Sequence, residues 1–250
     1  MTATTERPFP LIGAHTGCDG TPYNTIESFL KGVNLRADIV EVDLRTCRDG
    51  TVILLHDDCP YIHEYGFEQL NRLPLRSQLG PVYERHELVR LTDILPLAFK
   101  HRVRLNLDIK TPEAIEPVIR LVKRHEAEGQ VFVTGTSDGI AAAHRDIRVV
   151  FNTPTKLTPE SSDYASYARQ LCDEMVRGMY YGLNMHVGTC LPEAVELAHE
   201  RGLAVWVYTV NDEETMRRMI RFGVDAITTK NVAGLIDLKE KDGNFGANRL

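Results

Sequence analysis

The chain of 250 residues has no long apolar run, which excludes a membrane-spanning helix. It has no excess of positive charge either. Its formal net charge is −6, so a nucleic-acid or anionic-membrane surface is disfavoured, and any anionic ligand must be held by local chemistry. The five cysteines (Cys18, Cys47, Cys59, Cys172 and Cys190) form no C-x-x-C pair, and their number is odd. That pattern predicts reduced thiols in a cytoplasm rather than a disulfide framework. The polar start "MTATTERPFP" lacks the apolar core of a signal peptide, in keeping with a cytoplasmic location. No G-x-G-x-x-G follows the first β-rich run, so a dinucleotide site has no support.

What is present is an alternation. Strands are expected at 9–15, 38–45, 103–110, 130–134, 147–151, 179–184, 203–209 and 224–228, with an extra extended segment at 51–57. Helices are expected at 25–35, 91–100, 112–128, 138–144, 162–176, 191–201, 212–221 and 231–239. Asn24 and Glu27 have capping-box spacing, with Asn24 as N-cap. Eight strands alternating with helices predict an α/β protein: a (β/α)8 TIM barrel in one domain over 1–250, with a core of about 9–240. Residues 58–90 read as an excursion with a short helix near Phe67–Leu73, and 241–250 as a frayed tail. An open doubly wound sheet is the alternative.

In such a barrel the site lies at the C-terminal ends of the strands. His15 ends the first strand, Glu41 and Asp43 lie late in the second, His56 and Asp57 end the extra segment, and Asp108 and Lys110 end the third. Glu41 and Asp43 are two apart, so they share a strand face. Two carboxylates about 6 Å apart repel by roughly 3 kcal/mol at an effective dielectric near 20. With apolar neighbours Ile39, Val40, Val42 and Leu44, that pair calls for a compensating cation, either a hard metal ion or a salt bridge with Lys110. Asp108 supplies a third carboxylate. His15 and His56 beside them suit acid–base chemistry near neutral pH. Of the remaining histidines, His186, just past the sixth strand, is the one of interest, whereas His125, His144 and His199 fall on helices as surface residues.

The ordered pieces "AHTG", "PYNTIESF", "EVD", "TCRDG", "LLHD", "LNLDIK", "VWVYTVND" and "FGVDAITT" resemble the glycerophosphodiester phosphodiesterase family over residues 10–235. The resemblance implies a TIM barrel and a metal-dependent phosphodiesterase that cleaves a small-molecule phosphodiester. It implies His15 and His56 as catalytic histidines, and Glu41, Asp43 and Asp108 as ligands of Mg²⁺ or Ca²⁺, with Mn²⁺ also suited. Lys110 would lie near the phosphate. Tyr208 takes the position of the family's pocket tryptophan, with Trp206 two residues earlier on the same strand face. Three positions depart from the pattern. Thr16 replaces an arginine, Tyr23 replaces the glutamate of P-E-N, and Thr229-Lys230-Asn231 replaces T-D-x-P. Thr16 and Tyr23 are then expected to line the substrate. They also open one alternative, a sugar phosphodiester (opine-like) substrate, while Asp108 as the third acid beside the two histidines opens another, a sphingomyelinase D-like release of a cyclic phosphate. A barrel with a decayed site acting as a binding module is a further alternative. Which histidine is acid and which is base stays open at this level, as does the oligomeric state.

Overall fold

The computed structural model describes residues 8–155 and 163–247. Nine strands lie in one sheet: β1 (Leu11–Ala14), β2 (Ile39–Thr46), β3 (Val52–Leu54), β4 (Arg104–Ile109), β5 (Val131–Gly135), β6 (Arg148–Asn152), β7 (Gly182–His186), β8 (Ala204–Tyr208) and β9 (Ala226–Thr229). All except β3 are parallel, and β1 pairs with both β9 and β2, which closes an eight-stranded barrel with helices between the strands. The expected TIM barrel is therefore the observed fold.

Strand alternation divides the interior into two zones. Residues such as Ile12, Val40, Val42, Leu105, Leu107, Val133, Val205, Val207 and Ile227 form the apolar layer between barrel and helices. The alternate positions face inward. At the N-terminal end these are Leu11, Ile39, Phe132, Val150, Ala204, Trp206 and Ala226, an apolar plug. One step higher stand polar groups, with Thr134 Oγ1 donating to Asn106 Oδ1 at 3.1 Å and Asn184 Nδ2 to Asn152 Oδ1 at 2.8 Å. The charged residues come last, at the mouth. The barrel thus grades from apolar to charged along its axis, with the charged groups at the end where a ligand can enter.

The extra segment is the device that makes one half of the site. β2 overshoots the mouth, turns at Arg48-Asp49-Gly50 and returns as the antiparallel β3. Asp49 fixes the turn by accepting from Thr51 N at 3.0 Å and from Phe67 N at 2.9 Å. The excursion beyond it holds several short helical turns (Pro60–Glu64, Phe67–Leu70, Leu73–Arg76, Ser77–Leu79, Val82–Arg85) rather than the single expected one. They pack a small core of Ile62, Phe67, Leu70, Tyr83 and Leu88 against the hairpin's Ile53 and Leu55.

Three local expectations need correction. Thr25, not Asn24, caps the helix Ile26–Asn34, accepting from Ser28 N at 3.1 Å. Asn24 instead takes a left-handed φ of 57° and turns its amide into the barrel mouth. The seventh strand starts at Gly182 rather than 179, because Met179 and Tyr180 close the preceding helix, with Tyr180 N donating to Met175 O at 3.0 Å. The last helix runs Val232–Ala247, longer than the expected 231–239. Lys239 helps dock it, 3.7 Å from Asp38 and over the Phe9 ring. The expected helix start at 162 lies outside the described residues.

Candidate active site

Register places the acids. In the β2–β4 ladder Asp43 stands opposite Asp108 and Glu41 opposite Asn106, so two carboxylates share a level and the third lies one step below. Glu41, Asp43 and Asp108 each offer an oxygen within 4.8 Å of the others. Asp43 is buried, and its backbone and side chain are both held by Asn24. Asn24 Nδ2 donates to Asp43 Oδ2 at 2.8 Å, and Asp43 N donates to Asn24 Oδ1 at 3.1 Å. Lys110 bridges the other side, with Nζ 2.8 Å from Asp43 Oδ1 and 2.6 Å from Asp108 Oδ2. The two readings of the acidic pair thus coexist, since a lysine salt bridge covers Asp43 and Asp108, while among the described residues Glu41 has no lysine or arginine partner and only His15 Nε2 at 3.8 Å.

The electrostatics follow. Burial, then Asp108 and Asp43, push the Glu41 carboxyl well above its ordinary value. Burial likewise raises Asp108, against the pull of Lys110. Burial opposes charge on Lys110 too, but Asp108 and Asp43 outweigh it and hold the ammonium firmly protonated. Three carboxylates and one ammonium leave a formal charge of −2 in a low-dielectric mouth. An all-oxygen donor set with that deficit fits one hard divalent cation, and such a cation could be held here.

The two histidines flank this centre. His15 follows β1, with Nε2 3.8 Å from Glu41 Oε1 and Nδ1 2.6 Å from the Thr16 carbonyl. Because that carbonyl can only accept, Nδ1 carries the hydrogen and Nε2 faces Glu41. Burial holds the imidazole below its ordinary pKa, against the Thr16 hydrogen bond. His56 is delivered by the returning hairpin. Leu55 N donates to Asp43 O at 3.0 Å and Arg45 Nε to His56 O at 2.8 Å, which levels His56 with the acids. Its Nδ1 is 2.7 Å from Asp57 Oδ1. A cavity of about 420 Å³ is lined by both histidines, Tyr23, Asn24, Asp43, Lys230 and the excursion's Leu79–Tyr83. That volume suits a small molecule. Burial, then Asp108, raises the Tyr208 hydroxyl, which marks it as a neighbour of the acids from the opposite wall. His186 stands edge-on to it at 6.0 Å.

Two expected substrate contacts are placed otherwise. Trp206 is 2% exposed and packs against Phe132 at 4.7 Å between ring centroids, inside the apolar plug. Two residues along a strand are one layer deeper in a barrel, so Trp206 supports Tyr208 from below rather than meeting a ligand. Thr16 is buried too, and its Oγ1 accepts from Asn24 N at 2.6 Å. It shapes the loop that carries Asn24 and fixes His15 through its carbonyl. Asn24, Arg45 and Lys230 also stand beside these groups, at positions to which the sequence reading gives no site role. The signals were available: an asparagine before a helix whose cap is the next residue, an arginine two past Asp43 on the inward face, and a lysine two past Thr228, just beyond the last strand.

Against known proteins, residues 15–153 and 121–233 match the model of the glycerophosphoryl diester phosphodiesterase family. A glycerophosphodiester phosphodiesterase of Caldanaerobacter subterraneus is 26% identical over 250 residues, covering 93% of this chain and 99% of that protein. One from Bacillus subtilis is 24% identical, covering 88% and 83%. Among solved structures, a glycerophosphodiester phosphodiesterase of Parabacteroides distasonis superposes with a TM-score of 0.78 at 20% identity, over 95% of this chain and 99% of that one. An Oleispira antarctica phosphodiesterase in complex with the product sn-glycerol-3-phosphate superposes at 0.74 and 20%, over 92% and 97%. The chain belongs to the glycerophosphoryl diester phosphodiesterase family, and with it to the phosphoric diester hydrolases.

Proposed function

We propose that this protein hydrolyses a glycerophosphodiester by metal-assisted catalysis with two histidines. The observation that carries the reading is the convergence of Glu41, Asp43 and Asp108 at the mouth, with His15 and His56 on the wall of one cavity beside them. Mg²⁺ or Ca²⁺, held by those carboxylates, would supply Lewis-acid stabilisation of phosphoryl charge. The chain's own groups do the rest. His15, tied to a neutral carbonyl, presents Nε2 as an acceptor and takes the proton of the attacking hydroxyl. His56, oriented through Nδ1 by the Asp57 carboxylate, gives a proton to the leaving oxygen. Lys110 holds Asp43 and Asp108 in place beside the phosphate. Tyr23 and Tyr208 border the substrate from opposite sides. The attacker is a neighbouring hydroxyl of the substrate, and water then opens the cyclic phosphate with the two histidines exchanging roles. The same family relatives weigh for a glycerol diester over a sugar diester or a cyclic end product, and no feature of the cavity favours either.

The test is a substrate pair. Against a glycerophosphodiester with Mg²⁺ present, His15→Ala and His56→Ala each lose about 10²–10⁴ in kcat. Against glycerol p-nitrophenyl phosphate, which keeps the neighbouring hydroxyl but whose leaving group needs no proton, His56→Ala loses far less while His15→Ala loses as much. Near-normal turnover of His15→Ala on both would sink the assignment. Phosphorus NMR of the product separates an open from a cyclic phosphate.

A further inference from the structure

One cation of the cavity is left without work by the chemistry above. Lys230, just past β9, lines the cavity with His15, Tyr23, Asn24, Asp43 and His56. Its Nζ donates to the Tyr23 hydroxyl at 2.9 Å and stands 5.0 Å from the centre of the Tyr23 ring. Among the described residues no carboxylate lies within ion-pair distance of it. Lys110, by contrast, is tied between two acids.

The position of Lys230 is built rather than incidental. Its N donates to Asn211 Oδ1 at 2.9 Å, its carbonyl accepts from Asp19 N at 2.7 Å, and the preceding Thr229 carbonyl accepts from His15 N at 2.9 Å. The loops after β1, β8 and β9 are thereby stitched together under this one side chain. Its charge is felt at both His15 and Glu41. The Tyr23 hydroxyl, already accepting from the ammonium, has its own proton free to donate elsewhere. A lysine and a phenol oriented in this way make a two-donor cradle that can only be completed by an acceptor, and a protein of net charge −6 offers an anion nothing at long range.

We propose that Lys230, steadied by Tyr23, binds a non-bridging phosphoryl oxygen of the substrate. The assignment rests on the phosphodiesterase reading of the cavity, and it accounts for the departures at three positions together. With Thr16 buried, no cation stands after His15, and the charge lies one strand over, on Lys230 after β9, with Tyr23 as its rest.

The probe is inorganic phosphate, with its affinity read by calorimetry on the protein equilibrated with Mg²⁺, alongside steady-state kinetics. Lys230→Met should weaken phosphate roughly 10- to 100-fold, about 1.4–2.8 kcal/mol at tenfold per 1.4 kcal/mol. It should raise KM far more than it lowers kcat. Lys230→Arg should restore most of the affinity, and Tyr23→Phe should cost severalfold. Melting curves should stay as in the unaltered protein, and Mg²⁺ affinity should not fall, since a positive charge felt at Glu41 is removed. Phosphate affinity of Lys230→Met within twofold of the unaltered protein overturns the assignment, as does a parallel loss of Mg²⁺ affinity, which would make Lys230 a support of the acidic cluster. Because phosphate binding is read without turnover, a protein that cleaves no diester would count against the function proposed above and still leave the calorimetry to decide on Lys230.

Discussion

The acidic cluster makes a prediction in which stability and metal binding move in opposite directions. At 4.8 Å and an effective dielectric near 20, each carboxylate pair repels by about 3.5 kcal/mol, and Glu41 faces two such neighbours without a lysine of its own. Protonation of Glu41 would relieve part of this, the direction in which burial and its acidic neighbours push its carboxyl. That escape sets the ceiling. Taking up a proton at pH 7 on a group that ionises near 4.3 when unfolded costs about 1.36 kcal/mol per pH unit, or about 4 kcal/mol at most. Glu41→Gln removes the conflict with little change of shape. It should therefore stabilise the metal-free protein by about 1–4 kcal/mol, a rise in Tm of several degrees for a chain of this size. The unaltered protein should gain about 2.7 kcal/mol when a divalent cation reaches a hundred times its Kd, and Glu41→Gln should lose that response. Calorimetric melts in chelator, then in titrated Mg²⁺, Ca²⁺ or Mn²⁺, measure both. The reasoning is refuted if Glu41→Gln melts below the unaltered protein in chelator, or if it keeps the metal-induced rise.

Three other consequences are as direct. Asn24→Gly keeps the left-handed φ of 57° but removes both bonds to Asp43, so divalent affinity should fall about 10- to 100-fold by calorimetry while the fold persists. Gly135, at φ 75°, has no room for a Cβ, which would meet Asp108 Oδ1 and the Ile109 carbonyl. Gly135→Ala should then cost about 1–3 kcal/mol in urea unfolding and weaken metal binding with it; an unaltered midpoint would be inconsistent with the packing. At Asp49, burial alone would raise the carboxyl, but bonds from the Thr51 and Phe67 N–H groups outweigh it and hold it low. A depressed carboxyl stabilises the fold above its unfolded pKa near 3.9 and stops doing so as pH falls through the folded value. The gap between the unaltered protein and Asp49→Asn, about 1 kcal/mol after solvent screening, should be present at pH 7 and close below pH 4.

Much of the centre is readable because its residues are close in sequence and strand geometry is rigid. Glu41 and Asp43 share a face whatever the fold does around them, and so do Asp108 and Lys110. A parallel barrel then needs only register to bring the two pairs together, and the pairing of Asp43 with Asp108 does so. Trp206 shows where the same rule misleads. Sharing a face with Tyr208 was correct, but a barrel has depth, and two residues toward the N-terminal end put the indole in the apolar plug. Asn24 was misread for a similar reason. A capping residue and a side chain turned into the barrel mouth look alike in sequence, because asparagine favours both, and only the hydroxyl of Thr25 at the next position distinguishes them.

The cradle at the rim was harder to see, since Tyr23 and Lys230 stand 207 residues apart. Nothing local links them. They meet because the barrel closes, with Leu11 paired to Ala226 and His15 N bound to Thr229 O. Closure sets the inward phase of β9, and continuing the alternation from Ala226 through Thr228 places Lys230 over the mouth. A comparison position by position counts Thr16, Tyr23 and Lys230 as three separate departures. In space, Thr16 has withdrawn into the loop beneath Asn24, and Tyr23 and Lys230 form one unit above His15. The charge at the rim is therefore a property of the closed barrel's seam, and substitutions at either side of that seam should be judged in pairs.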